Sequence, residues 1–107
     1  MEQDKEITKV IFRKWKGTGD VIAIFPELVA DQHMDFCMSY MHIGQHSSCN
    51  INPIIHFDTR LAKPEEYQDL FEELQSLGYN LKVYQRYTYA MQQTRMKQWK
   101  EYYRCKQ

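Results

Sequence analysis

Residues 64–84, PEEYQDLFEELQSLGYNLKVY, carry the change of period that decides the fold. Tyr67, Leu70, Phe71, Leu74 and Leu77 recur at steps of three and four, which places them on one helical stripe. Glu65, Glu66, Asp69, Glu72 and Glu73 occupy the rest of that helix. Pro64 suits the first helical position, where a missing N–H costs nothing, and Glu65 and Glu66 complement the positive end of the helix dipole. Gly78 can adopt the left-handed conformation that ends a helix, and Tyr79 is placed to fold back on the last turn. Leu81 and Val83 then alternate with Lys82 and Tyr84, so the period drops to two and a strand follows.

Working outward from that helix, strands precede it. Residues 7–15 are rich in β-branched and aromatic side chains and end at Lys16-Gly17-Thr18-Gly19-Asp20, and an apolar run resumes at residues 21–25 until Pro26. The pair reads as a β-hairpin. Residues 36–41 read as a third strand and residues 54–59 as a fourth, with a polar loop over residues 42–52 between them. From Thr88 onward Met, Gln, Lys and Arg replace β-branched residues, which favours a terminal helix. The order β-β-β-β-α-β, with a basic C-terminal helix, predicts an α+β domain: an antiparallel sheet of four to five strands with one amphipathic helix packed on it. Residues 1–87 form that domain, and residues 88–107 the basic, aromatic helix or tail.

The chain has 107 residues, 43% apolar and 26% charged, enough for one ordinary globular domain. Its formal net charge of +0 conceals two parts. Residues 1–78 hold 7 Lys/Arg against 13 Asp/Glu, and residues 79–107 hold 7 against 1. Such asymmetry points to a partner of opposite charge or to the protein's own acidic half. The start, Met1-Glu2-Gln3-Asp4-Lys5-Glu6, is charged with no apolar stretch behind it, so no secretory signal is expected. Cys37, Cys49 and Cys105 match no disulfide framework, and a reducing cytoplasm is the expected compartment. No run approaches the ~20 apolar residues of a membrane span, so a soluble protein without membrane contact is expected.

Three constellations bear on function. His42, His46 and Cys49, with His56 and Asp58 near in sequence, offer zinc-ligand types on one loop, yet neither a paired CxxC nor an HExxH motif accompanies them. The same residues with Ser39 could be arranged as a nucleophile and base for hydrolysis, but no nucleophile elbow is present. The C-terminal segment interleaves Arg95, Lys97, Lys100 and Arg104 with Trp99 and Tyr103, a mixture suited to phosphates and exposed bases. Met96, Trp99 and Tyr103 fall at i, i+3 and i+7, and that stripe could equally pack on the domain or on a second copy of the chain. No pattern requires a cofactor or a metal, and none marks an enzyme.

Val10-Ile11-Phe12-Arg13-Lys14-Trp15, Ile22-Ala23-Ile24-Phe25-Pro26, Ser39-Tyr40-Met41-His42-Ile43-Gly44-Gln45-His46, Pro64-Glu65-Glu66-Tyr67 and Gly78-Tyr79-Asn80-Leu81 resemble a family of small, functionally uncharacterised bacterial proteins typical of phages, plasmids and conjugative elements. The resemblance spans about residues 9–88 and leaves the basic tail outside. Where that family follows His46 with glycine and small or acidic residues, this chain has Ser47-Ser48-Cys49. The resemblance implies a mobile-element setting. With the charge split, the expectation is a binding protein whose partner is most simply another protein, met by the acidic helix, by His42, Gln45 and His46, or by both. Nucleic acid held by Arg95, Lys97, Lys100 and Arg104, with Trp99 stacking, is the alternative.

Overall fold

The computed structural model of the chain describes residues 7–30, 36–41 and 45–104. The architecture is α+β. Strands β1 (Thr8–Trp15), β2 (Val21–Val29), β3 (Phe36–Met41), β4 (Gln45–Asn50), β5 (Thr59–Leu61) and β6 (Leu81–Val83) form one mixed sheet. Its path is β4-β3-β2-β1-β5, and β6 joins β1 as well. All pairings are antiparallel except that of β6, which runs parallel to β1. The second edge of β1 is therefore shared: β5 pairs with Arg13 to Trp15 and β6 with Thr8 to Val10.

Side-chain alternation divides the sheet into two buried faces. Val10, Phe12, Ala23, Phe25 and Tyr40 pack with Leu70 and Leu74 of helix α2 (Pro64–Ser76). Ile22, Ile24 and Cys37 pack on the other face with Ile51 and Ile54. The unbroken apolar run Ile22 to Phe25 is the signature of a strand covered on both sides, where a sheet bare on one face would alternate. Fully burying a side chain such as Leu74 contributes about 1.5–3 kcal/mol. The hairpin turn closes through Gly19, at φ 81, with Gly19 N–H donating to Trp15 O (2.9 Å) and Trp15 N–H to Asp20 O (2.8 Å). β2 runs on past Pro26 to Val29, and its register shifts between Phe25 and Val29, so the proline lies in the irregular stretch where no ladder hydrogen bond is needed.

Helix α2 begins and ends as its sequence implies. Glu66 accepts from Lys63 N–H (2.9 Å) at the start. At the end Gly78, at φ 106, donates to Gln75 O and Tyr79 N–H donates to Leu74 O, a Schellman closure. The helix reaches from β5 to β3. Its first turn meets β1 and β5 through Glu66, bound by Lys14 (2.9 Å) and Arg60 (2.6 Å). Farther along, Glu73 accepts from Tyr40 of β3.

Two expected elements differ. The polar stretch expected as a loop contains β4, which pairs residue for residue with β3 from Phe36↔Asn50 to Met41↔Gln45. Backbone pairing holds this edge strand, so it needs few apolar side chains. Residues 54–59, expected as a strand, form instead a short helix α1 (Ile51–Pro53), a π-helical turn (Ile54–Asp58) and the start of β5. Asn50 Oδ1 accepts from Asn52 N–H, and Ile51 and Ile54 are three apart and both buried, which is helical spacing hidden by β-branched composition. Arg13 fixes the turn by donating to Ile55 O (3.0 Å), Thr59 O (2.9 Å) and Thr59 Oγ1 (2.9 Å). Helix α3 (Tyr89–Arg104) starts where Thr88 Oγ1 accepts from Met91 N–H and packs on β2 with Met91 and Arg95 buried. No described helix is long and apolar enough to cross a membrane.

Candidate functional site

The site is built where the edge strand meets the end of the acidic helix. On β4, His46 lies opposite Tyr40 and so shares its face of the sheet. Their rings meet edge to face at 4.6 Å between centroids. The Schellman closure after α2 returns Tyr79 to the same place, where it stacks on Phe25 (5.2 Å), and its hydroxyl is 2.9 Å from His46 Nε2. Tyr40 in turn donates to Glu73. The sequence offered the acidic helix and the His42 to His46 segment as two separate docking surfaces. Here they adjoin, joined by His46–Tyr79 and Tyr40–Glu73.

This surface has a backbone edge and a charge. Among the described residues β4 has β3 on one side and no strand on the other, so one row of its N–H and C=O groups has no ladder partner. His46, Ser47 and Ser48 are exposed along it. Glu65, Asp69 and Glu72 are exposed on α2, and Asp69 lies one turn before Glu73 on the same side of the helix. The carboxyl of Glu66 sits far below the ordinary carboxylate range, first through its hydrogen bond from Arg60, then through those from Lys63 N–H and Lys14. The charge of Glu66 is thus met by β1 and β5.

The opposite face holds the chemistry of the thiols. Cys37 and Cys49 are direct cross-strand partners with Sγ atoms 3.7 Å apart. Cys37 is fully buried, and its thiol is pushed well up by the hydrogen bond with Cys49 and then by burial. The Cys49 thiol is lowered by the bond with Cys37 against the effect of burial, and by Ser39 and the Arg95 charge. Cys49 also lines a cleft of about 400 Å³ with Trp15, Ile22, Met41 and Ile54.

These placements redistribute the residues singled out from sequence. His46 and Cys49 are three apart on a strand, and their contacts lie on opposite faces, so they cannot share a metal ion. No group of three metal-ligand side chains occurs among the described residues. His42 lies outside the described residues, and Gln45 opens β4. Arg95, expected on the basic surface, is the largest fully buried side chain. Its guanidinium donates to Pro26 O (2.9 Å) and Tyr87 Oη (3.0 Å) and lies 5.6 Å from the Tyr87 ring. The inward stripe of α3 is therefore Met91 and Arg95, with Met96 and Trp99 of the expected stripe half-buried, and the side chain of Tyr103 lies outside those described. Lys97 and Lys100 are exposed, and Arg104 is the last residue of α3. Lys82 Nζ lies 5.5 Å over the Tyr84 ring, a second basic–aromatic pair made within the chain.

Glu73 was read only as part of the acidic helix and Tyr79 only as part of its end; the contacts that tie them to Tyr40 and His46 were not read, and neither was the pairing of the two cysteines. Once β3 and β4 are known to form a hairpin, positions whose numbers sum to 86 face each other, which identifies Cys37 with Cys49. Comparison with protein-family models, curated proteins and solved structures returned no match.

Proposed function

We propose that this chain is a non-enzymatic binding protein, an accessory of a mobile genetic element, that holds an extended basic segment of a partner protein along β4 and beside α2. The observation that carries the reading is the His46–Tyr79 contact, which joins the open strand edge to the acidic helix in one surface. An extended segment added to β4 would gain main-chain hydrogen bonds, the usual source of affinity when a strand is added to a sheet. Lys or Arg side chains on that segment would meet Asp69 and Glu72, giving charge complementarity and a faster encounter. The resemblance to proteins of phages, plasmids and conjugative elements supports the setting. The nucleic-acid reading is weakened by the position of Arg95, which leaves Lys97 and Lys100 as the exposed cations in the middle of α3.

The test is fluorescence anisotropy of a labelled peptide alternating Lys and Val, titrated with the full chain. Saturable binding is expected, lost on charge reversal by Asp69→Lys with Glu72→Lys and when proline replaces the central valine of the peptide. Lys97→Glu with Lys100→Glu should leave it intact. Charge reversal is the right comparison because deleting α3 would uncover the core around Met91 and Arg95. Peptide binding indifferent to the α2 reversal, or tight binding of a single-stranded oligonucleotide abolished by the α3 reversal, would overturn the reading.

A further inference from the structure

We propose that Cys37 and Cys49 are a reversible dithiol–disulfide site, in which Cys49 meets a hydroperoxide and Cys37 resolves the oxidised sulfur. The inference is independent of the binding surface, since the pair lies on the other face of the sheet.

Geometry carries it. Directly opposed residues of an antiparallel pair have Cα atoms about 4.5 or 5.5 Å apart, both within the span a disulfide bridges. The two Sγ atoms already stand 3.7 Å apart, so rotation about the side-chain bonds can close them without moving either strand. The hairpin between β3 and β4 fixes this register at six consecutive pairs. Access is unequal: Cys37 is 0% exposed, whereas Cys49 is half-buried and borders the cleft with Trp15 and Met41. A small oxidant can therefore reach Cys49 and not Cys37.

The surroundings favour the same division. The buried guanidinium of Arg95 acts on both sulfurs and Ser39 lowers the Cys49 thiol further, so a negative charge forming on Cys49 has a cation and a polar side chain to stabilise it. Ser39 is itself held by Ser47 O at 3.1 Å, which fixes its place beside the sulfurs. In the second step the Cys37 proton passes to the departing hydroxyl, which leaves as water. Arg95 thus acquires a role that its burial alone leaves unexplained.

The steps balance. The Cys49 thiolate attacks one oxygen of the hydroperoxide, the O–O bond breaks, and the other oxygen leaves as an alcohol after taking a proton, which gives a Cys49 sulfenic acid. The Cys37 sulfur then attacks the Cys49 sulfur. The S–S bond forms, the S–O bond breaks, and the hydroxyl leaves as water with the Cys37 proton. Two thiols and one hydroperoxide become one disulfide, one alcohol and one water; the sulfurs lose two electrons and the peroxide gains them. A small dithiol restores both thiols by exchange.

The experiment uses the full chain carrying Cys105→Ser, so that only this pair is read, treated with one equivalent of hydrogen peroxide and then alkylated. The expected product is a folded monomer lighter by two hydrogens, resistant to alkylation, with Cys37 and Cys49 joined in its non-reduced digest, and reverted by dithiothreitol. Adding Cys37→Ala should stop the reaction at a Cys49 sulfenic acid that dimedone traps, whereas Cys49→Ser should leave Cys37 unoxidised. In urea the disulfide should form at least tenfold more slowly, which separates the effect of the fold from mere thiol content. The proposal is overturned if both thiols of the folded chain stay alkylatable, if only intermolecular links form, or if unfolding does not slow the reaction.

Discussion

Under α2 the sheet presents Val10, Phe12, Ala23 and Phe25 to Leu70 and Leu74, while its other face presents Ile22, Ile24 and Cys37 to Ile51, Ile54 and, nearby, the guanidinium of Arg95. The first face is apolar inside and polar only at its rim, where Glu66 and Glu73 tie the helix to the strands. The second encloses a cation and two thiols. Stability on the first side should follow area and packing, and on the second it should depend on hydrogen bonds to a charge that has left water. The contrast extends to chemistry, because the first side ends in an exposed edge suited to docking and the second in a pair of adjacent sulfurs.

The largest expected effect is on the apolar face. Phe12 is buried and stacks on Tyr67 at 4.3 Å, so Phe12→Ala should cost about 3–5 kcal/mol in urea denaturation. Arg95→Met tests the other side. It keeps the bulk but removes the hydrogen bonds that Arg95 donates to Pro26 O and Tyr87 Oη, and should cost about 2 kcal/mol. A neutral or stabilising result there would show that the buried cation is not needed to close that face.

A smaller effect belongs to the cap. Gly78 has open space around the position of a Cβ, so Gly78→Ala should cost about 1–2 kcal/mol from backbone conformation alone, read as a lowered urea midpoint with unchanged slope. The smallest concerns the rim. The folded Glu66 carboxyl titrates below its unfolded value of about 4.3, so its contribution is fully present above that pH and is lost as pH falls toward the folded value. Glu66→Gln should therefore lower thermal stability most at neutral pH and flatten its fall below about pH 4, so that the difference from the parent chain shrinks as the pH falls.

The two faces also differ in how far their sequences can be read. Helix α2, its proline start and its glycine stop were legible because each signal is local: a period, a missing N–H and a left-handed residue. The hairpin of β1 and β2 was legible for the same reason. On the other face the signals are not local. The π-helical turn depends on Arg13, which donates across 42 and 46 positions to Ile55 and Thr59, and no composition rule encodes that. β4 escaped because Gln45-His46-Ser47-Ser48-Cys49-Asn50 has no β-branched residue and is held by its partner's backbone. With β4 unread, His46 and Cys49 looked like neighbours on one loop. Arg95 looked like part of a basic stripe because α3 carries cations on several sides, and only the packing on β2 shows which one turns inward.

The central claim, that β4 and α2 form one binding surface, is tested most directly by NMR mapping of backbone amides during titration of the uniformly labelled chain with the alternating Lys–Val peptide. The account predicts saturable shifts gathered on residues 45–50 and 69–79, with residues 89–104 unmoved. Shifts gathered on α3, or no saturable shift at residues 45–50, would contradict it.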